Sequence, residues 1–181
     1  RQQIADAALK VIAEQGLGRF TTQAIAAEVG ITDGTLFRHF ASKEDIVLAA
    51  LDRVEARLFD GFPPNDPDPL VRLERFFRHR ASLVGGNPVI ARLAFSEELP
   101  HAAGERGARQ VQTWKDRSLD FVIACVEEAQ AQGRIPRALP AREVAVMVLG
   151  TLIALVRFGE LAAGPAAADR AWGVMERVLG K

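Results

Sequence analysis

Thr22-Gln23-Ala24-Ile25-Ala26-Ala27-Glu28-Val29-Gly30-Ile31-Thr32-Asp33-Gly34-Thr35-Leu36-Phe37-Arg38-His39-Phe40 is the stretch whose reading decides the architecture. A hydroxyl at Thr22 can accept from the amides of an opening helical turn, which have no carbonyl partner of their own, so a helix is expected to begin there. Ile25, Ala26 and Val29 then place an apolar stripe on one face. Gly30 supplies the left-handed residue that stops the helix. Ile31 fills the corner, Thr32 is a second cap, and Leu36 with Phe40 forms the i, i+4 pair that anchors the next helix to a core.

The outward side of that second helix offers Thr32, Asp33, Gly34, Thr35 and Arg38. These residues are small or polar and can enter a major groove, donating or accepting at base edges. Gly34 lets the backbone come close. The pattern is that of a helix-turn-helix that reads DNA. Ser42 is a third cap, three residues before Asp45, and opens a longer amphipathic helix. Lys43 lies in its first turn, where a cation opposes the helix dipole and only an outside anion such as a phosphate favours it.

With these residues in place, the chain resembles the tetracycline-repressor (TetR) family of bacterial transcription regulators over Ile4 to Leu51. The positions that carry the resemblance are Ile4, Ala8 and Leu9, Gly16, Thr22, Ile25-Ala26, Gly30, Gly34-Thr35-Leu36-Phe37, His39-Phe40 and Ser42-Lys43-Glu44. The resemblance implies an all-α protein: a three-helix DNA-binding head with a helix-turn-helix, followed by a helical ligand-sensing and dimerisation domain. It also implies that Thr22, Phe37, His39 and Lys43 lie near the DNA backbone, and that Thr32, Asp33, Thr35 and Arg38 face the bases. Phe37 is a departure, because many members carry a tyrosine there.

Composition is compatible with this reading. The 181 residues are 49% hydrophobic, enough for a sizeable core, and the formal net charge is zero, so any attraction for nucleic acid must be local. The window from Gly16 to Lys43 holds Arg19, Arg38 and Lys43 against Glu28 and Asp33. The sequence starts at Arg1 without a methionine and almost inside a helical pattern, so a leader with further Lys or Arg is expected ahead of it. The single cysteine, Cys125, cannot form an internal disulfide and lies on an apolar helix face, where a thiol behaves as a small hydrophobe and not as a redox sensor. No secretory leader is visible, and the longest apolar run, Val144 to Val156, is well short of the ~20 residues that span a bilayer. A cytoplasmic protein is expected.

Farther along, Glu44 to Phe59 continues as a helix. The segment from Asp60 to Pro69 then concentrates four of the nine prolines, which no helix can absorb. A boundary is therefore placed between residues 1–59 and residues 60–181. Helices are expected from Pro69 to Val84, from Asn87 toward Pro100, through Val111 to Gly133, from Ala141 to Ala163, and from Ala166 to Leu179, with a loop around Gly104 and Gly107. The segment from Ala141 to Ala163 is apolar on nearly its whole circumference and must be covered on both sides. A homodimer is expected, with Val148, Leu152, Leu155, Trp172 and Met175 at its interface; a monomeric core is the alternative. The resemblance implies pairing through the last two long helices.

If an effector cavity exists, its wall is expected at Phe77, Arg80, Trp114 and Met147, with Arg80 orienting an anionic or carbonyl group of a small molecule. The same aromatic set, with Phe76, Phe95 and Phe121, also suits a plain core. The expected partner is double-stranded DNA carrying a palindromic operator, since two symmetric heads need two symmetric half-sites. Glu97, Glu98 and His101 are the only cluster with catalytic or metal-binding chemistry. Pro100 interrupts their helical spacing, so no enzyme, cofactor or metal is expected. Gly16-Leu17-Gly18 lacks the third glycine and preceding strand of a phosphate loop and reads as a turn. A DNA-bound adaptor that recruits a protein instead of a metabolite is the competing function.

Overall fold

The computed structural model describes residues 1–16, 19–86, 102–157 and 166–180. The described residues are helical, with eight main helices: α1 (Gln2–Gln15), α2 (Thr22–Val29), α3 (Asp33–His39), α4 (Lys43–Leu58), α5 (Pro69–Gly86), α6 (Gly104–Ala131), α7 (Ala141–Arg157) and α8 (Ala166–Leu179). They group into two compact units. One holds residues 1–58 and, of the described residues beyond, 102–114; the other holds 59–86 and 115–180.

In the first unit α1 packs on α4 and α2, and α2 packs on α3. The core follows the apolar stripes: Ile4, Ala8, Leu9, Ile12, Ile25, Leu36, Phe40, Ile46, Val47 and Leu51 are all buried. Charged side chains fasten the helices from outside. Arg53 donates to both carboxylate oxygens of Asp6, at 3.0 and 3.2 Å, and Lys10 meets Glu28 at 2.7 Å. Pairs this exposed contribute little individually. Residues 102–114 join this unit through Gln110, whose amide donates to Asp52 at 2.7 Å and Glu55 at 3.0 Å on α4.

Three expectations change here. The cap of α2 is Thr21, not Thr22: Thr21 keeps an extended backbone (φ −118°, ψ 155°) and its hydroxyl accepts from the Ala24 amide, whereas Thr22 is already helical. Two adjacent threonines offer the same hydroxyl, and only the backbone angle separates them. Gly104 and Gly107 do not form a loop but belong to α6; Gly104 takes the left-handed angle at its edge (φ 60°), and the Gly107 amide donates to the Ala103 carbonyl. The helix expected between Asn87 and Pro100, together with Glu97, Glu98, His101 and Phe95, lies outside the described residues.

In the second unit α5, α7 and α8 pack on one another around Leu73, Phe76, Phe77, Val122, Val126, Val144, Val148 and Trp172. Pro69 starts α5 at the position where its missing amide costs nothing, and Asp68 ahead of it accepts from the Leu70 amide at 2.8 Å. The proline-rich segment is pinned by ion pairs, Asp68 with Arg134 and Asp66 with Arg75, both at 3.0 Å. Cys125 is buried, and burial pushes its thiol up to about 11, so it packs as a protonated hydrophobe at neutral pH. Among the described residues no helix is long and apolar enough to cross a membrane.

The third change concerns the last two helices. Val148, Leu152, Trp172 and Met175, expected at a subunit interface, are buried in the chain's own core, and Leu155 is partly buried against it. The large apolar side chains left in solvent are instead Val146, Met147 and Ile153 on α7, and Val174 and Val178 on α8. A helix that is apolar all round has two usable faces, and nothing in its periodicity says which turns inward. The cap assignment is directly testable. Thr21→Ala should cost about 1 kcal/mol in urea-unfolding stability, while Thr22→Ala should stay within about 0.5 kcal/mol; the reverse order would return the cap to Thr22.

Candidate functional site

The turn between α2 and α3 is closed by the backbone alone. Gly30 sits in the left-handed region (φ 74°, ψ 34°), its amide donates to Ala27, and the Ile31 amide donates to Ala26 at 2.9 Å. That pair of bonds satisfies two of the last four carbonyls of α2 and reverses the chain within two residues. Thr32 then caps α3 with extended backbone, its hydroxyl accepting from the Thr35 amide at 3.2 Å and lying 3.1 Å from the Thr35 hydroxyl.

Leu36 is fully buried, which fixes the rotation of α3 about its axis. At 100° per residue, Gly34 and Arg38 then stand on the side opposite Leu36, with Thr35 and Phe37 flanking them. The burial pattern agrees. Thr32, Gly34, Phe37, Arg38 and His39 are exposed, and Asp33 and Thr35 are partly so. Phe37 is 49% exposed, a large ring left in water with no use for the chain's own packing. Gly34 has no internal reason to be glycine: a Cβ there would meet only the Thr32 hydroxyl, at 3.9 Å, which is ordinary contact. Thr22 is partly buried at the start of α2, and Lys43 is exposed at the start of α4.

Two local charge effects were not visible in the sequence. Glu28, the acid counted against nucleic-acid attraction, is paired with Lys10. The Lys43 ammonium lies 4.9 Å from the centroid of the buried Phe20 ring, a cation–π contact that gives this cation an internal partner beside its exposure. At the same helix start, Ser42 accepts from the Asp45 amide at 3.1 Å and donates to the Asp45 carboxylate at 2.9 Å.

The four residues expected to wall an effector cavity fare differently. Phe77 is sealed in the core of the second unit, 5.6 Å from the Trp172 ring, and Met147 is 52% exposed. Trp114 is buried in the first unit. Arg80 alone has a site around it. Its guanidinium lies 4.6 Å from the Phe59 ring centroid and 5.2 Å from that of Phe76. Arg117 lies 3.9 Å from Phe59 and 5.3 Å from Phe62. Phe62 and Phe121 complete the cluster at 4.9 Å from one another.

Burial, with the like charge of Arg117 nearby, pushes the Arg80 guanidinium down to about 10. Sequence reading missed Phe59, Phe62 and Arg117. Phe59 precedes the proline-rich segment and Phe62 lies within it, and Arg117 is a charged residue one helical turn before Phe121. A separate cleft of about 470 Å³ is lined by Leu70, Leu73, Ile135, Trp172 and Leu179 with Arg134, and none of the four expected residues lines it.

The sequence model of bacterial regulatory proteins of the tetR family matches residues 4–50. The nucleoid occlusion factor SlmA of Pasteurella multocida (strain Pm70) is 28% identical over 126 residues, 67% of this chain and 63% of that protein, so the match spans less than two thirds of the relative's length. The fatty acid metabolism regulator protein of Bacillus subtilis (strain 168) is 25% identical over 155 residues, 83% of this chain and 78% of that one. The crystal structure of AibR in complex with isovaleryl coenzyme A and operator DNA shares the fold at a TM-score of 0.79 and 21% identity, covering 99% of this chain and 98% of that one. Residues 4–50 thus carry the sequence pattern of the tetR family of bacterial regulatory proteins, and the chain shares the fold of AibR.

Proposed function

We propose that this chain is a DNA-binding transcriptional regulator: a cytoplasmic, ligand-responsive repressor that acts as a homodimer on a palindromic operator. It is a regulator and not an enzyme. Residues 1–59 form its DNA-binding part, and residues 60–181 its ligand-binding and dimerising part. The observation that carries this reading is the solvent side of α3, where Gly34, Phe37 and Arg38 are held outward by the burial of Leu36. Arg38 is suited to a bidentate contact with a guanine. Lys43 supplies affinity that is independent of sequence.

Homodimerisation is supported by the exposed side chains Val146, Met147, Ile153, Val174 and Val178. Gly150, also on the exposed side of α7 with open space where a Cβ would stand, lets another helix approach closely. Two heads related by symmetry place half-sites about 34–36 Å apart, or a multiple of that. A ligand that binds one head spacing better than another lowers operator affinity by the difference. AibR, which shares the fold, has been crystallised with both isovaleryl coenzyme A and operator DNA, which supports one such fold serving both partners. The similarity to a nucleoid occlusion factor supports a second reading, in which the same head carries a body that recruits a protein.

Selection of bound duplexes from a random pool tests the function: a palindromic consensus is expected, and recovery of no consensus would overturn it. On the selected operator, Gly34→Ala should lose affinity on the order of tenfold, while folding stability rises by up to about 1 kcal/mol because a helical glycine is removed. A loss of both would make Gly34 structural. Lys43→Ala should lower the salt slope by about one ion at unchanged sequence preference, whereas Arg38→Ala should relax preference at one position by about 1–3 kcal/mol. Light scattering should give twice the monomer mass, and Ile153→Glu should halve it; an unchanged dimer would move the interface elsewhere.

A further inference from the structure

Arg80 is 93% removed from solvent, and its Nη2 has no hydrogen-bond partner. Among the described residues no carboxylate pairs with it. This sets it apart from Arg72, another arginine of α5 with an unbonded Nε, whose Nη2 is held by Glu128. Buried cations without a partner are costly, and the ring faces of Phe59 and Phe76 offset only part of that cost. A second guanidinium, that of Arg117, stands over the same Phe59 ring and adds repulsion. Two arginines gathered on one aromatic cluster, one of them with a bare donor, make an arrangement that an anion would complete.

We propose that Arg80, with Arg117 beside it, forms the anion-recognising end of the effector site, and that the effector is a carboxylate carried on an aromatic or acyl body. This rests on the reading of residues 60–181 as ligand-binding. A guanidinium presents parallel N–H donors that match the two oxygens of a carboxylate. The apolar body has Phe62, Phe76 and Phe121 to lie against, with ring centroids 4.9 to 6.1 Å apart. Phe59, Phe62 and Phe121 are only partly buried and Arg117 is exposed, so the cluster borders solvent. The cleft lined by Trp172 and Leu179 holds Arg134 and Arg177, but Arg134 is already paired with Asp68, and neither has a buried donor left without a partner, as Arg80 does.

The test is calorimetric titration of the 181-residue chain, without DNA, using 3-phenylpropionate and its uncharged counterpart 3-phenylpropanol. The carboxylate is expected to bind at least tenfold more tightly than the alcohol, and Arg80→Met to bring the two to equality. Equal binding in the unaltered chain, or a preference that survives Arg80→Met, would overturn the proposal. Arg117→Met changes an exposed residue and guards against an Arg80 variant that fails to fold. It should weaken the carboxylate at least threefold and leave the alcohol unchanged; no effect on the carboxylate would count against the site. DNA selection separates this inference from the regulator reading. Carboxylate binding without any selected DNA removes the regulator and keeps the site, whereas selected DNA without carboxylate preference removes the site and keeps the regulator.

Discussion

The left-handed Gly30 and the two backbone hydrogen bonds that close over it are the constraint on which the rest of the head depends. They end α2 with the Ala26 and Ala27 carbonyls satisfied, and they start α3 two residues later. Because the reversal is so short, Leu36 and Phe40 can reach the core laid down by α1, α2 and α4. Removing the Leu36 side chain would cost about 2–5 kcal/mol by the usual measure of a buried leucine. That anchoring decides which side of α3 faces water. The side opposite Leu36 carries no large aliphatic residue, a glycine with room to spare, and an arginine.

Charge in the head is organised at the scale of single contacts. A chain with no net charge has no long-range attraction to offer a polyanion, so any favourable field must arise from the placement of a few side chains. Pairing Glu28 with Lys10 takes one acid out of play. Setting Lys43 over the Phe20 ring holds an ammonium at the start of α4, with no carboxylate paired to it among the described residues. The Thr32 hydroxyl is engaged by the Thr35 amide and hydroxyl, so both side chains of that turn are oriented in advance.

The second unit shows the opposite economy. Its helices carry more apolar surface than one core can absorb: α7 buries Val144, Ala145, Val148 and Leu152 and leaves Val146, Met147 and Ile153 in water. The apolar surplus is collected on two adjacent helices, α7 and α8. Arg80 is the corresponding polar exception, a cation in a core register position among phenylalanine rings. Both features cost stability in the isolated chain.

Much of this was legible from residue order. The caps at Thr32 and Ser42, the turn at Gly30, the anchoring pair Leu36 and Phe40, the helical course of the described residues and the break before Pro69 all follow from interactions within a few residues of each other, where spacing alone specifies geometry. Three things belonged to the tertiary structure. Thr21 takes the cap from Thr22 because the backbone is already helical at Thr22, one residue earlier than a threonine pair can announce. The interior face of α7 is chosen by α5 and α8, since a helix apolar on every side carries no inward direction of its own. The Arg80 cluster draws together Phe59, Phe62, Phe76, Arg117 and Phe121 from separate parts of the chain. Local periodicity reports which residues share a face of one helix, and only packing between helices decides what that face meets.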